Sequence, residues 1–152
     1  MDPVVHFEMP YDDAERLAKF YKGAFGWKMK NLGEQMGHYM MAHTSETSGD
    51  GMLKEPGRIN GGFFAKKADA TWQQPSVVIA VKDIVRSIDR VTAGGGTVLG
   101  EPMQIPGIGS FVSFKDTEGN QVGMLQPLPM APAKPAKKLP AVPKKKKPAR
   151  KR

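Results

Sequence analysis

Two side chains with acid/base chemistry stand two residues apart near the start of the chain. They are His6 and Glu8, in the segment VVHFEM from Val4 to Met9. Side chains alternate along a strand, so His6 and Glu8 share one face with Val4, while Val5, Phe7 and Met9 share the other. An imidazole titrating near neutral pH beside a carboxylate suits proton transfer or the orientation of a polar ligand. The plainer alternatives are a part-buried histidine satisfied by a neighbour, and a carboxylate that is solvated or paired. Further along, Asn60-Gly61-Gly62 strips side-chain bulk from an expected strand, either for a close approach by a ligand or as a bulge. Trp72 lies in a linker, where it could cover a cavity or a contact between subunits. Ser110 follows the turn Ile105–Gly109 and could donate a hydrogen bond at a rim; an ordinary turn is the alternative. Ten methionines suit an adaptable apolar lining, or simply core and surface.

Several chemistries are missing. Without cysteine there is no disulfide, thiolate metal site or cysteine nucleophile, which fits the cytoplasm. No serine sits in a GxSxG turn. Gly94-Gly95-Gly96 follows an apparent helix, whereas a dinucleotide-binding glycine motif precedes one. No apolar run approaches the ~18 residues of a membrane span, and the N-terminus does not read as a secretory signal.

The elements that must hold these residues occur twice. Val4–Met29 and Ser76–Leu99 each run apolar strand, aspartate-bearing break, amphipathic helix, glycine, strand. In the first half, Val4–Met9 is a strand ended by Pro10. Asp12 or Asp13 caps a helix whose core face is Leu17, Phe20, Tyr21 and Ala24. Strands follow at Trp27–Asn31, Gly37–His43 and Gly57–Ala65, with a polar loop at Thr44–Glu55. In the second half, strand Ser76–Val81 leads to a helix with the stripe Ile84, Ile88, Val91, stopped by glycine. Strands at Thr97–Gln104, Phe111–Phe114 and Val122–Leu125 complete it, the last two joined by the turn Asp116–Asn120. The order is βαβββ twice. The expected fold is α+β, with two βαβββ modules (about residues 3–66 and 75–127) forming a curled mixed sheet around a cavity, within a domain of residues 1–128.

The chain has 152 residues and a formal net charge of +8, but residues 129–152 hold ten Lys or Arg and no acid. The remainder carries 13 basic and 15 acidic residues, a net of −2. The Lys/Pro/Ala-rich end cannot bury enough apolar surface to order itself, so a disordered basic tail is expected. Lys144, Lys145, Lys146, Lys147, Arg150, Lys151 and Arg152 would attract DNA, RNA or another polyanion without sequence preference, and could hold the protein at the nucleoid. The alternative is a solubilising extension. No amphipathic anchor accompanies the charge, so no membrane partner is expected.

The paired modules, FYKGAFGW after the first helix, INGGFF, IPGIGSF and FKDTEGNQVGMLQ together resemble the vicinal oxygen chelate superfamily over about Val4 to Gln126. This group contains glyoxalase I, bleomycin-resistance proteins and extradiol dioxygenases; the small bacterial glyoxalase-like proteins of unassigned activity are most alike. The resemblance implies two half-barrels around a cavity, and often a homodimer. Metal-bearing members draw four ligands from four strands. In this chain those positions fall at His6, near Gly61-Gly62, at Ser76 and at Gly123. One ligand of four remains, so no cofactor is expected and a metal-dependent lyase or dioxygenase is the lesser alternative. A metal-independent binder of a small molecule, or an enzyme of unknown reaction, is the leading expectation. Its candidate groups are His6 and Glu8 for acid/base work and Asn60, Trp72, Ser76 and Ser110 for ligand contact. A scaffold domain held on nucleic acid by the tail is the second expectation.

Overall fold

The computed structural model describes residues 1–48, 53–70 and 73–129; Trp72 and the basic residues of the tail lie outside them. Eight strands and two helices follow in the order β1 (Val4–Tyr11), α1 (Ala14–Phe25), β2 (Lys28–Asn31), β3 (Met40–His43), β4 (Asn60–Ala65), β5 (Ser76–Ala80), α2 (Ile84–Ala93), β6 (Thr97–Ile105), β7 (Gly109–Lys115) and β8 (Gln121–Pro127). A 3₁₀ turn, Glu34–Met36, precedes β3. The strands form one mixed sheet in the order β2-β3-β4-β1-β5-β8-β7-β6. β1 runs parallel to β4, and β5 parallel to β8. The two modules meet along the antiparallel pair β1–β5. No helix among the described residues is long and apolar enough to cross a membrane.

Each helix starts at an aspartate whose carboxylate satisfies an otherwise unpaired amide. The Arg16 N–H donates to Asp13 Oδ1 at 2.9 Å, and the Arg86 N–H to Asp83 Oδ1 at 3.0 Å. Gly26, in the left-handed region at φ 69°, ends α1. Beneath α1, Tyr11, Met40, Ala42 and Phe63 form a buried cluster, joined by Phe7, Leu17, Tyr21 and Trp27. Tyr21 and Trp27 stack with ring centroids 4.6 Å apart. Beneath α2, Val81, Ile84, Val112 and Met124 form the counterpart, joined by Ile88 and Val91 as the sequence stripe requires. Fully buried Phe63 and Met124 each contribute about 1.5–3 kcal/mol by leaving water. Both clusters lie on the helix-covered face of the sheet, which leaves the other face for the cavity.

Four sequence expectations are corrected. Pro10 does not end β1, which continues to Tyr11. β5 begins at Ser76, the partner of Glu8, so from Met9 onward β1 pairs with β4 alone and tolerates a residue without an N–H. Phe20 is 58% exposed and Ala24 is exposed; only Leu17 and Tyr21 of the expected helical face pack on the core. The β1–β5 register shifts between Val4 and His6, and Val5 lines the cavity instead of sharing the helix-side face with Phe7. β3 begins at Met40 rather than Gly37, because positive φ at Gly33, Gly37 and His38 coils the preceding chain into a tight turn.

Candidate functional site

The uncovered face of the sheet encloses a cavity of about 690 Å³. Its centre is the β1–β5 seam, where strand alternation sends His6 and Glu8 inward and Phe7 and Met9 toward α1. Glu8 faces Gly62 on one side and Ser76 on the other; His6 faces Asn60 and Val78.

Tyr39 completes the cluster. His6 Nε2 lies 2.9 Å from the Tyr39 hydroxyl, and that hydroxyl donates to Glu8 Oε1 at 3.4 Å. With the phenolic proton directed at Glu8, the hydrogen-bond pattern assigns the imidazole proton to Nε2, which donates to the Tyr39 oxygen. The turn before β3 places this ring. Leu32 N–H donates to the Tyr39 carbonyl at 2.9 Å, and the Tyr11 hydroxyl donates to the His38 carbonyl at 2.8 Å from the core side. Tyr39 went unread in the sequence. The available signal was Gly62: a strand glycine whose missing side chain leaves space that a diagonal neighbour can fill.

Burial governs the electrostatics. It lowers His6 to about 4, so the imidazole is neutral at pH 7. It raises the Glu8 carboxyl, against the opposing Tyr39 hydrogen bond. It raises the Tyr39 hydroxyl too, helped by the Glu8 charge and the bond to it. Glu8 is thus the carboxylate of the cluster, and the neutral His6 and the Tyr39 hydroxyl are its uncharged hydrogen-bonding members.

An internal two-fold relation runs through the site. Met41 of β3 pairs with Gly62 of β4, and Ser113 of β7 pairs with Gly123 of β8. Tyr39 and Phe111 each stand two residues before those partners, and each ring covers its glycine. A Cβ at Gly62 would overlap the Tyr39 ring; one at Gly123 would come within 2.7 Å of the Phe111 ring. Glu8 pairs with Gly62 as Val78 pairs with Gly123, and Glu8 faces Ser76 as Val78 faces His6. The first module thus presents His6, Glu8 and Tyr39 where the second presents Ser76, Val78 and Phe111.

Other sequence candidates are placed as follows. Ser76 lines the cavity opposite Glu8. Asn60 does not line it; its Oδ1 accepts from the Thr44 and Ser45 N–H groups at 2.9 and 3.2 Å and ties the chain after β3. Ser110 is also absent from the lining, because alternation along β7 sends Phe111 and Ser113 inward; its Oγ accepts from Gln104 Nε2. The other two histidines, His38 and His43, are not part of the cavity lining. Met36, Met41 and Met103 do line it. Trp72 and Lys144–Lys147, Arg150, Lys151 and Arg152 lie outside the described residues.

The register gives the family's fourth-strand ligand position to Gly62, the residue facing Glu8, rather than to Gly61, whose α-carbon faces Phe7 on the helix side. The donor set across the four positions is then one imidazole, one serine hydroxyl and two glycines. Among the described residues no three His, Asp or Glu side chains cluster as a metal site would need.

Two βαβββ modules whose central strands join to enclose a cavity define a class of protein: the paired-module glyoxalase-like domain. The chain belongs to the Glyoxalase/Bleomycin resistance protein/Dioxygenase superfamily, whose profile matches residues 4–124. A glyoxylase-like domain-containing protein of Didymella fabae is 32% identical over 114 residues, covering 74% of this chain and 84% of that one. Among solved structures, a methylmalonyl-CoA epimerase in complex with methylmalonyl-CoA and NH4+ superposes with a TM-score of 0.64 at 14% identity, covering 86% of this chain and 97% of that chain. The epimerase of Mycobacterium tuberculosis superposes with a TM-score of 0.61 at 12% identity, covering 83% and 88%. At such identities the superpositions report the shared fold.

Proposed function

We propose that this glyoxalase-like domain binds a small organic ligand in its cavity without a divalent metal. The observation that carries the reading is the His6–Tyr39–Glu8 network, facing a cavity whose size suits an organic molecule. Two of the family's four ligand positions are glycines under aromatic rings, so the chain offers hydrogen bonds where relatives offer a Lewis acid. The polar cluster fixes the ligand's orientation, and Glu8 supplies a proton acceptor if the ligand reacts. The test has two arms. Purified, tag-free protein is dialysed, exposed to Ni, Mn, Zn and Fe(II), and submitted to elemental analysis; a stoichiometric metal overturns the reading. Nile red, a neutral dye that brightens in apolar surroundings, is then titrated; His6→Ala should weaken its binding, and no binding to the wild type also overturns the reading.

A second reading concerns the basic end. Ten Lys or Arg without one acid within residues 129–152 favour polyanion binding by counterion release. Truncation after Leu128 should abolish retention on DNA at about 100 mM salt. Equal retention of full-length and truncated chains removes this reading.

A further inference from the structure

The ionisable groups of the lining all come from the first module, and its charge inventory is one-sided. Glu8 and His6 are the only ionisable carboxylate and imidazole facing the cavity among the described residues. Among the described residues no Lys or Arg lines the cavity, and His6 is neutral at pH 7. Gln74, Gln121, Ser76 and Ser113 add uncharged polar groups. An anionic ligand would lose its hydration here and find no counter-charge, which is costly. A cation would find the carboxylate of Glu8 and the π-face of Tyr39 in one place.

The second module contributes no ionisable group to the lining, and most of its surface there is hydrocarbon. Phe111 and Leu125 form its wall, and Met103, Ile105 and Ile108 extend it along the β6–β7 hairpin. From the internal symmetry, Val78 and Phe111 there replace Glu8 and Tyr39, so a ligand's charged end has one place to go.

We infer that the cavity takes a lipophilic amine, its ammonium seated against Glu8 and the Tyr39 ring and its apolar body lying along Phe111 and the β6–β7 hairpin. The inference rests on the cavity being the ligand site, and it names the ligand's chemical class. The burial that raises the Glu8 carboxyl comes with no protein cation beside it; the bound ammonium supplies the missing counter-charge.

Three probes with one carbon skeleton and different head groups test this: phenylbutylamine, phenylbutanol and phenylbutyrate. Each is titrated calorimetrically into the full-length protein at about pH 8, where the amine is cationic. The amine should bind about tenfold or more tightly than the alcohol, and the acid more weakly than the alcohol. In Glu8→Gln the preference for the amine over the alcohol should fall to about twofold or less. Alcohol and amine binding equally to the wild type, an amine preference that survives Glu8→Gln, or tightest binding by the acid overturns the inference while leaving the cavity as a ligand site. Binding by none of the three overturns the inference itself, and Nile red titration then shows whether the cavity reading falls with it. The wild-type series decides the head-group preference even if Glu8→Gln fails to fold.

Discussion

Tyr39 and Phe111 occupy equivalent positions in the two modules, each ring lying over the glycine of an adjacent strand. They differ by one hydroxyl, and that hydroxyl contacts both His6 and Glu8. The duplicated backbone reproduces the steric arrangement twice and the polar chemistry once.

Gly61 and Gly62 are adjacent but face opposite sides of the sheet, so alanine should act differently at each. A Cβ at Gly61 overlaps Phe7 in the core, and one at Gly62 overlaps Tyr39 in the cavity. Each substitution should cost about 1–3 kcal/mol in urea unfolding, the usual range for overpacking. Only Gly62→Ala should displace the Tyr39 ring and its NMR signals. Equal perturbation of Tyr39 by both variants would contradict the assignment of faces.

Tyr39→Phe keeps the ring over Gly62 and removes the shared hydroxyl. It strands His6 Nε2 and the Glu8 carboxylate, at a cost of about 1–3 kcal/mol. The Tyr39 hydrogen bond holds Glu8 down against burial, so its loss should send the Glu8 midpoint higher. Carbon-13 NMR of the side-chain carboxyl follows this directly; an unchanged midpoint would show that the 3.4 Å contact carries no energy.

His6 gives stability a signed dependence on pH. The unfolded chain protonates near 6.5, the folded one only near about 4. Acidification through that window gives the unfolded state the extra proton, so stability falls, by up to about 3 kcal/mol over the whole span. Above the window the imidazole is neutral in both states and contributes nothing to the slope. Glu8 has the opposite sign, since its raised folded midpoint costs stability as pH climbs. Urea midpoints measured across this range should flatten in His6→Gln; an unchanged slope would assign the acid sensitivity elsewhere.

The duplication, the aspartate cap of α1 and the α2 stripe were legible because each follows from local period or local hydrogen bonding. His6 and Glu8 were legible as one strand face for the same reason. Tyr39 was not, since its role depends on a turn with three positive-φ residues and on empty space over Gly62, a strand away in register. The hydrogen bonds of Asn60 and Ser110 were not legible, because the polar groups they bond, in the chain after β3 and on β6, are brought close only by strand pairing. Pro10 reads as a stop only when both neighbours of β1 are taken to reach it.

The sheet ends on β2 at one side and β6 at the other, and these two strands do not pair. Residues on both sides of that gap, Leu32 and Met36 against Met103 and Ile108, line the cavity. No ladder of amides closes the cavity between those two strands. No strand-to-strand hydrogen bond has to break for the cavity to be altered at this edge. Leu32, Met36, Met103 and Ile108 belong to neither buried cluster, so substitutions along this gap should reshape the cavity's edge without loosening the core.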